Sequence, residues 1–174
     1  IADIYRAMGQ FDKARNADFE AIAIRPDWPD AYYGLAETAF YQHRFQEAVE
    51  WTKAGATKDI PQTFMIVNPR DYDQYPLIVL GNSYAQLNDF ESAAGNLRRA
   101  LMVNPNQQVL GNLRLIEQEL DGRKLVDSFL TVWEHLGKND EWLKARHLFN
   151  SAPKMIQKVP IVQEKQRFTT EVTA

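Results

Sequence analysis

Three histidines, His43, His135 and His147, are the residues of this chain best suited to bind a transition metal, and their placement keeps them apart. None lies three or four positions from another, as neighbouring ligands on a helix would. Cysteine is absent, which removes thiolate zinc sites, thiol nucleophiles and disulfides together. Asp71-Tyr72-Asp73 is an Asp-x-Asp triplet, and paired carboxylates can hold a divalent cation that in turn holds the diphosphate of a sugar nucleotide. No nucleotide-binding strand and helix surround it, so it reads as a solvated turn. Arg98-Arg99 and Arg123-Lys124 are basic pairs, yet each has acidic neighbours and no interleaved aromatic on which a base would stack. They read as solvated helix faces. The Gly-x-Gly-x-x-Gly loop, the Walker loop and the nucleophile elbow are all missing from the sequence. The expectation is therefore a chain with no catalytic residues, no metal site and no cofactor.

What the remaining residues could position is bounded by charge and length. The 174 residues suffice for one domain or a short repeat array with a buried core. The net charge of −3 argues for neither nucleic acid nor a membrane surface as partner. It is unevenly spread: residues 1–121 carry 11 Lys/Arg against 17 Asp/Glu, and residues 122–174 carry 9 against 6, so the two ends face different surroundings. There is no 18-residue apolar run and no basic-then-apolar leader at the N-terminus, and the lack of cysteine fits a reducing compartment. A cytoplasmic location is expected. The chain begins at Ile1, which predicts a piece of a longer protein.

An internal repeat organises the first two thirds. When Ile1–Pro26 is aligned with Pro76–Pro105 on the last proline, Tyr5 falls on Tyr84, Phe11 on Phe90, Ala14 on Ala93 and Ala21 on Ala100. Between them, residues 29–61 supply Tyr32, Leu35, Ala36, Phe45 and Ala48 in the same frame. Ala14 and Ala48 are 34 residues apart, and Ala48 and Ala93 are 45 apart, the same period with 11 residues inserted.

Each unit reads as a helical hairpin. Tyr32-x-x-Leu35-Ala36 and Leu77-x-x-Leu80-Gly81-x-x-Tyr84 place apolar residues three and four apart along one helical stripe. Ala36 and Gly81 leave room for the second helix to approach. A polar turn and an aromatic follow, at Gly9-Gln-Phe11, His43-Arg-Phe45 and Asn88-Asp-Phe90. Gly and Asn tolerate the left-handed backbone that ends a helix, and the aromatic anchors the next one. Asp12, Gln46 and Glu91 open the second helices and Pro26, Pro61 and Pro105 close them.

This pattern resembles the tetratricopeptide-repeat family over residues 1–106 apart from the insertion, with units at about 1–28, 29–62 and 74–106 and a partial fourth at 107–121. The resemblance implies an all-α fold, an alpha-alpha superhelix in which antiparallel helix pairs form a solenoid. The chain departs from the pattern at Asp18 and Thr52, where a large apolar residue is usual, at Ala39, where tyrosine is frequent, and at Gly55, where alanine is usual. Each truncation forgoes about 1.5–3 kcal/mol of burial if its site is internal, which predicts a loosely packed second unit.

The resemblance also implies a non-catalytic scaffold whose concave face binds a protein or peptide partner, or a neighbouring domain of the same chain, rather than nucleic acid or membrane. That face would be lined by Asp30, Tyr33, Glu37 and Tyr41, then Ile78, Asn82 and Gln86, then Asn112 and Ile116. Tyrosine, carboxylate and amide groups there can bind an extended peptide by hydrogen bonds and stacking. Tyr33→Ala or Glu37→Lys is then expected to abolish capture without lowering the melting temperature.

The insertion, residues 63–73, is expected to be an extended loop that packs Phe64, Ile66 or Tyr72 on the stack. Beyond it, Leu125, Phe129, Trp133 and Leu136, then Trp142, Ala145 and Phe149 after the Gly137-Lys-Asn-Asp break, predict two capping helices within residues 122–158. Residues 159–174 gather Ile161, Val162, Thr169, Thr170, Val172 and Thr173, whose β-branching predicts an extended C-terminal tail or linker. Finally, residues 45–105, with their Asn-Pro-Arg-Asp-Tyr and Tyr-Pro stretch, are similar to the helical-repeat regions of bacterial and phage-type glycosyltransferases. That similarity implies an accessory region of a sugar-transferring enzyme whose catalytic domain lies outside these residues.

Overall fold

The computed structural model describes residues 1–59 and 70–173. Phe64 and Ile66 lie outside them, as do most residues of the insertion. By their contacts the residues fall into an N-terminal module, Ile1–Glu117, and a C-terminal module, Gln118–Ala174. Among the described residues there is helix and no strand, and no helix is long and apolar enough to cross a membrane.

The N-terminal module is built from α1 (Ala2–Ala7), α2 (Phe11–Ile24), α3 (Asp30–Tyr41), α4 (Phe45–Ala56), α5 (Arg70–Asp73), α6 (Tyr75–Gln86), α7 (Phe90–Val103) and the start of α8 (Gln107–Lys138). α1 pairs with α2, α3 with α4 and α6 with α7, and the pairs stack through α2 on α3 and α4 on α6. The three hairpin turns share one geometry. Gly9, His43 and Asn88 take left-handed backbone at φ 69°, 58° and 61°. The next residue reaches back across the helix end, with Gln10 N–H to Tyr5 C=O at 2.8 Å, Arg44 to Ala39 at 2.8 Å and Asp89 to Tyr84 at 3.0 Å. These bonds satisfy carbonyls that the helix leaves without partners. His43 thus serves a turn, with its ring edge-on to Phe45. Asp89 adds a cap, its carboxylate accepting from Ser92 N–H at 3.1 Å.

Small residues seat the helices against each other. Ala14, Ala48 and Ala93, each five positions after a left-handed residue, are fully buried. A Cβ on Gly81 would come within 2.5 Å of Leu97 Cδ2, so α6 and α7 meet as closely as their backbones allow.

The second unit is not loosely packed, because larger neighbours or polar partners occupy the truncated sites. A Cβ on Gly55 would stand 2.6 Å from Tyr33 Cε1 and 3.1 Å from Tyr32 Cβ. Buried Thr52 donates its hydroxyl to Ala48 C=O at 2.7 Å, and in the first unit buried Asp18 is ion-paired. The insertion also differs from a purely extended loop at its end. Residues 70–73 form the turn α5, and Gln74 then buries its amide, donating to Ala100 C=O at 3.1 Å and Asn104 C=O at 2.6 Å. One side chain thereby caps the end of α7.

In the C-terminal module, the expected pair of capping helices within 122–158 is corrected in its boundaries. α8 is continuous through Leu120, so the boundary placed at residue 121 falls inside a helix. No proline interrupts residues 107–138, and Gly111 and Gly122 cost about 1 kcal/mol each without stopping the helix. α8 ends where Asp140 turns left-handed at φ 55° and Glu141 N–H reaches Leu136 C=O at 2.9 Å, the turn of the N-terminal hairpins again. α9 (Trp142–Ser151) follows, with Ala145 fully buried five positions after Asp140.

The extended tail is a second correction. After the short α10 (Lys154–Gln157), residues Pro160–Val172 form α11. Pro160 suits a first helical turn, where no N–H is needed. Thr169, Thr170 and Thr173 return their hydroxyls to the carbonyls four residues earlier at 2.8, 3.0 and 2.9 Å, so helical backbone satisfies them. Val162 and Thr169, two turns apart, bury themselves on a core of Phe129, Trp133, Phe149 and Ile156, and Trp133 Nε1–H donates to Thr169 Oγ1 at 2.9 Å. Packing of one helical face outweighs the β-propensity of the individual residues.

Candidate functional site

Asp30, Tyr33, Glu37 and Tyr41 follow one another along α3 at spacings of three and four, which sets them on one helix face. Their surroundings come from four other helices, with Asp3 and Arg6 on α1, Phe11 on α2, Tyr72 on α5 and Tyr75 on α6. Two adjoining clefts result. One, of 320 Å³, is lined by Asp30, Tyr33, Tyr72 and Tyr75. The other, of 370 Å³, is lined by Ala7, Phe11 and Tyr41. Asp3, Arg6 and Glu37 line both.

Arg6 is the pivot. Its side chain is only 7% exposed. Nη1 donates to Asp18 Oδ2 at 2.6 Å, to Gly34 C=O at 3.1 Å and to Thr38 Oγ1 at 3.3 Å, while Nη2 is ion-paired with Asp3. Nε lies 3.3 Å from Glu37 Oε2 but, buried, has no hydrogen-bond partner. Gly34 is required at the back of this network, because a Cβ there would stand 2.7 Å from both Asp18 oxygens. Burial pushes the Asp18 carboxyl up to about 6, more than the Arg6 guanidinium pulls it down. Burial would lower the guanidinium pKa, but Asp18 and Asp3 together hold it raised.

The tyrosines enclose the carboxylates. Tyr72 donates to Asp30 Oδ1 at 2.9 Å, and Tyr41 reaches Glu37 Oε1 at 3.4 Å while its ring stacks on Phe11. Burial first, and then the charge of Glu37, raises the Tyr75 hydroxyl pKa. Burial also raises Tyr33, with Asp30 and Asp73 adding to it, and Glu37 raises Tyr41. Several carboxylates therefore act on one space walled by phenol rings.

The structure thus brings together four of the nine residues expected on the concave face. Tyr33 is buried against Gly55, so the expectation that Tyr33→Ala leaves stability unchanged is corrected: removing a packed ring costs about 3–5 kcal/mol. Asn82 and Asn112 are hydrogen-bonded to each other at 3.1 Å, linking α6 to α8. Ile116 is buried, Ile78 half-buried and Gln86 exposed, and none of the three lines the two clefts. Sequence reasoning missed Arg6. Its signal was Asp18, a carboxylate at a core position of a repeat, which requires a cation from a neighbouring helix.

The other candidate groups lie elsewhere. His135 Nε2 meets Asn139 Nδ2 at 3.2 Å, and His147 is on α9. The Asp71 side chain is outside the described residues, and among those described no three His, Cys, Asp or Glu side chains come together as a metal site. Arg98 donates twice to Glu117, at 2.7 and 3.1 Å, and Arg123 pairs with Glu119. A further cleft of 520 Å³ in the C-terminal module is lined by Val126, Met155, Ile156 and Val159 under a charged rim.

Comparison with known proteins accords with this geometry. A family model described as TPR repeat matches residues 2–43, and one described as tetratricopeptide repeat matches residues 76–107. No curated protein matches the chain. Among solved structures, the TPR2AB-domain:pHSP90-complex of yeast Sti1 is similar at a TM-score of 0.59 and 14% identity, over 99% of this chain and 68% of that one. At that identity the likeness bears on the fold, whereas the two matched segments bear on the sequence. Over residues 2–43 and 76–107, then, the repeated hairpins of this chain are similar in sequence to the repeats of the tetratricopeptide-repeat family.

Proposed function

We propose that the chain is a non-catalytic interaction scaffold, and that its concave face binds a segment of a protein or peptide, or of a neighbouring domain, at the clefts around Glu37. The observation that carries this is the pair of adjoining, preformed clefts sharing Asp3, Arg6 and Glu37. An extended segment can occupy both at once, and a site already held by packed helices incurs little ordering cost on binding. The Sti1 structure is that of a TPR domain in complex with pHSP90, which supports a protein or peptide ligand for a fold of this kind. The Asn82–Asn112 pair continues the face from α6 to α8 and extends the contact surface.

Nucleic acid and anionic membranes suit this face poorly, because the charges lining it are mostly carboxylates. A reducing compartment such as the cytoplasm suits a chain without cysteine. No comparison supports the reading as a glycosyltransferase accessory.

Selection from a random peptide library, followed by NMR titration of the binders, tests the proposal. Binders should perturb signals of Asp3, Glu37 and Tyr41 and lose affinity on Tyr41→Ala, at a residue that is 53% exposed. Binders that perturb only other surfaces would refute the assignment of the clefts.

A further inference from the structure

Resting on that reading, we infer that the clefts around Glu37 select a cationic segment, with a lysine or arginine side chain of the partner entering between Asp30 and Glu37 against the rings of Tyr33, Tyr72 and Tyr75. Charge complementarity is the first ground. Among the described residues, the 320 Å³ cleft presents Asp3, Asp30 and Glu37 against one cation, Arg6. That cation is turned inward, since its Nη1 atom is committed to Asp18, Gly34 and Thr38 behind the cleft. An anionic segment would meet three carboxylates and a guanidinium whose Nη atoms are already committed to this chain's own acceptors, and like charge so placed repels it.

The state of Glu37 is the second ground. Two of its contacts are long, 3.3 Å to Arg6 Nε and 3.4 Å to the Tyr41 hydroxyl, beside a hydrogen bond with Tyr75, and Arg6 Nε is a buried donor without a hydrogen-bond partner. A partner ammonium or guanidinium would give this carboxylate a short, charge-assisted hydrogen bond. The aromatic walls are the third. Phenol faces attract cations, and more strongly where water is partly excluded. This chain already places its own cations in that way, with Lys53 over Tyr84 and Lys58 over Tyr32 at 5.6 and 5.0 Å from the ring centres.

Fluorescence anisotropy with the full chain tests the inference, using two labelled peptides of equal length, one bearing lysines on a glycine-serine background and one bearing glutamates. The lysine peptide should bind at least about tenfold more tightly and weaken as salt is raised. Asp30→Asn with Glu37→Gln should weaken it about tenfold, in keeping with the loss of charged hydrogen bonds. Glu20→Gln with Glu50→Gln, which removes the same charge from α2 and α4, should leave it unchanged. Equal weakening by both pairs would overturn the inference in favour of unspecific attraction, as would equal binding of the glutamate peptide. If library-selected neutral peptides perturb Glu37 while the lysine peptide does not bind, the charge selectivity fails and the scaffold reading stands. If no peptide of either kind reaches the clefts, both fail.

Discussion

Arg6→Met replaces the buried cation by an apolar chain of similar length and tests the electrostatics of α1 docking through its dependence on pH. Asp18 has its carboxyl raised from 3.8 to about 6 in the folded protein, so ionising it opposes folding. In the parent chain the stability tied to this group is full below about pH 4 and declines as pH rises to about 6, by roughly 3 kcal/mol at 1.36 kcal/mol per unit. Above pH 6 the decline ends. In Arg6→Met the one group pulling that carboxyl down is gone, so its pKa climbs further and the decline continues where the parent has levelled. Between pH 6 and pH 8 the difference between the two proteins grows by at most 1.36 kcal/mol per unit, or roughly 2–3 kcal/mol in all. At pH 5 the loss is mainly that of the contacts to Asp3, Glu37, Gly34 and Thr38. Urea unfolding followed by far-UV circular dichroism at pH 5 and pH 8 measures both losses. In an Asp18→Asn background the pH-dependent part should vanish. A loss equal at the two pH values, or a pH dependence that persists without Asp18, would refute the reasoning.

Gly81→Ala should destabilise by about 1–3 kcal/mol despite better helix propensity, because Leu97 is fully buried and cannot retreat from the new methyl. Gly95→Ala, where a Cβ meets nothing within 4 Å, should instead gain about 0.5–1 kcal/mol, and melting temperatures of the two separate the effects. Gln74→Ala leaves the carbonyls of Ala100 and Asn104 without their donor and should cost about 1–3 kcal/mol in chemical denaturation. Trp133→Phe removes the hydrogen bond to Thr169 and should speed amide exchange across residues 160–172 while leaving α3 and α4 protected.

The hairpins were legible from the chain alone because their determinants are local. A left-handed residue, an aromatic two positions later and an alanine five positions later recur at Gly9, His43 and Asn88, and each acts within one turn of helix. The same signature at Asp140, Trp142 and Ala145 was equally readable but followed a longer interval. The α3 half of the candidate site was legible too, since residues three and four apart on a helix share a face whatever that face meets.

What the sequence determined by itself was therefore the helices and turns of the hairpins and the identity of the repeat. Tertiary structure decided the rest. Residues 160–172 are helical because Thr169 and Val162 find a core to enter, a fact of packing that β-branched composition does not contain. Gly55 is filled by Tyr33, and Asp18 is tolerated because Arg6, twelve residues earlier, is folded against it. Those pairings depend on which helix faces which across the stack, and they turn a stripe of residues on α3 into a cleft with a charge of its own.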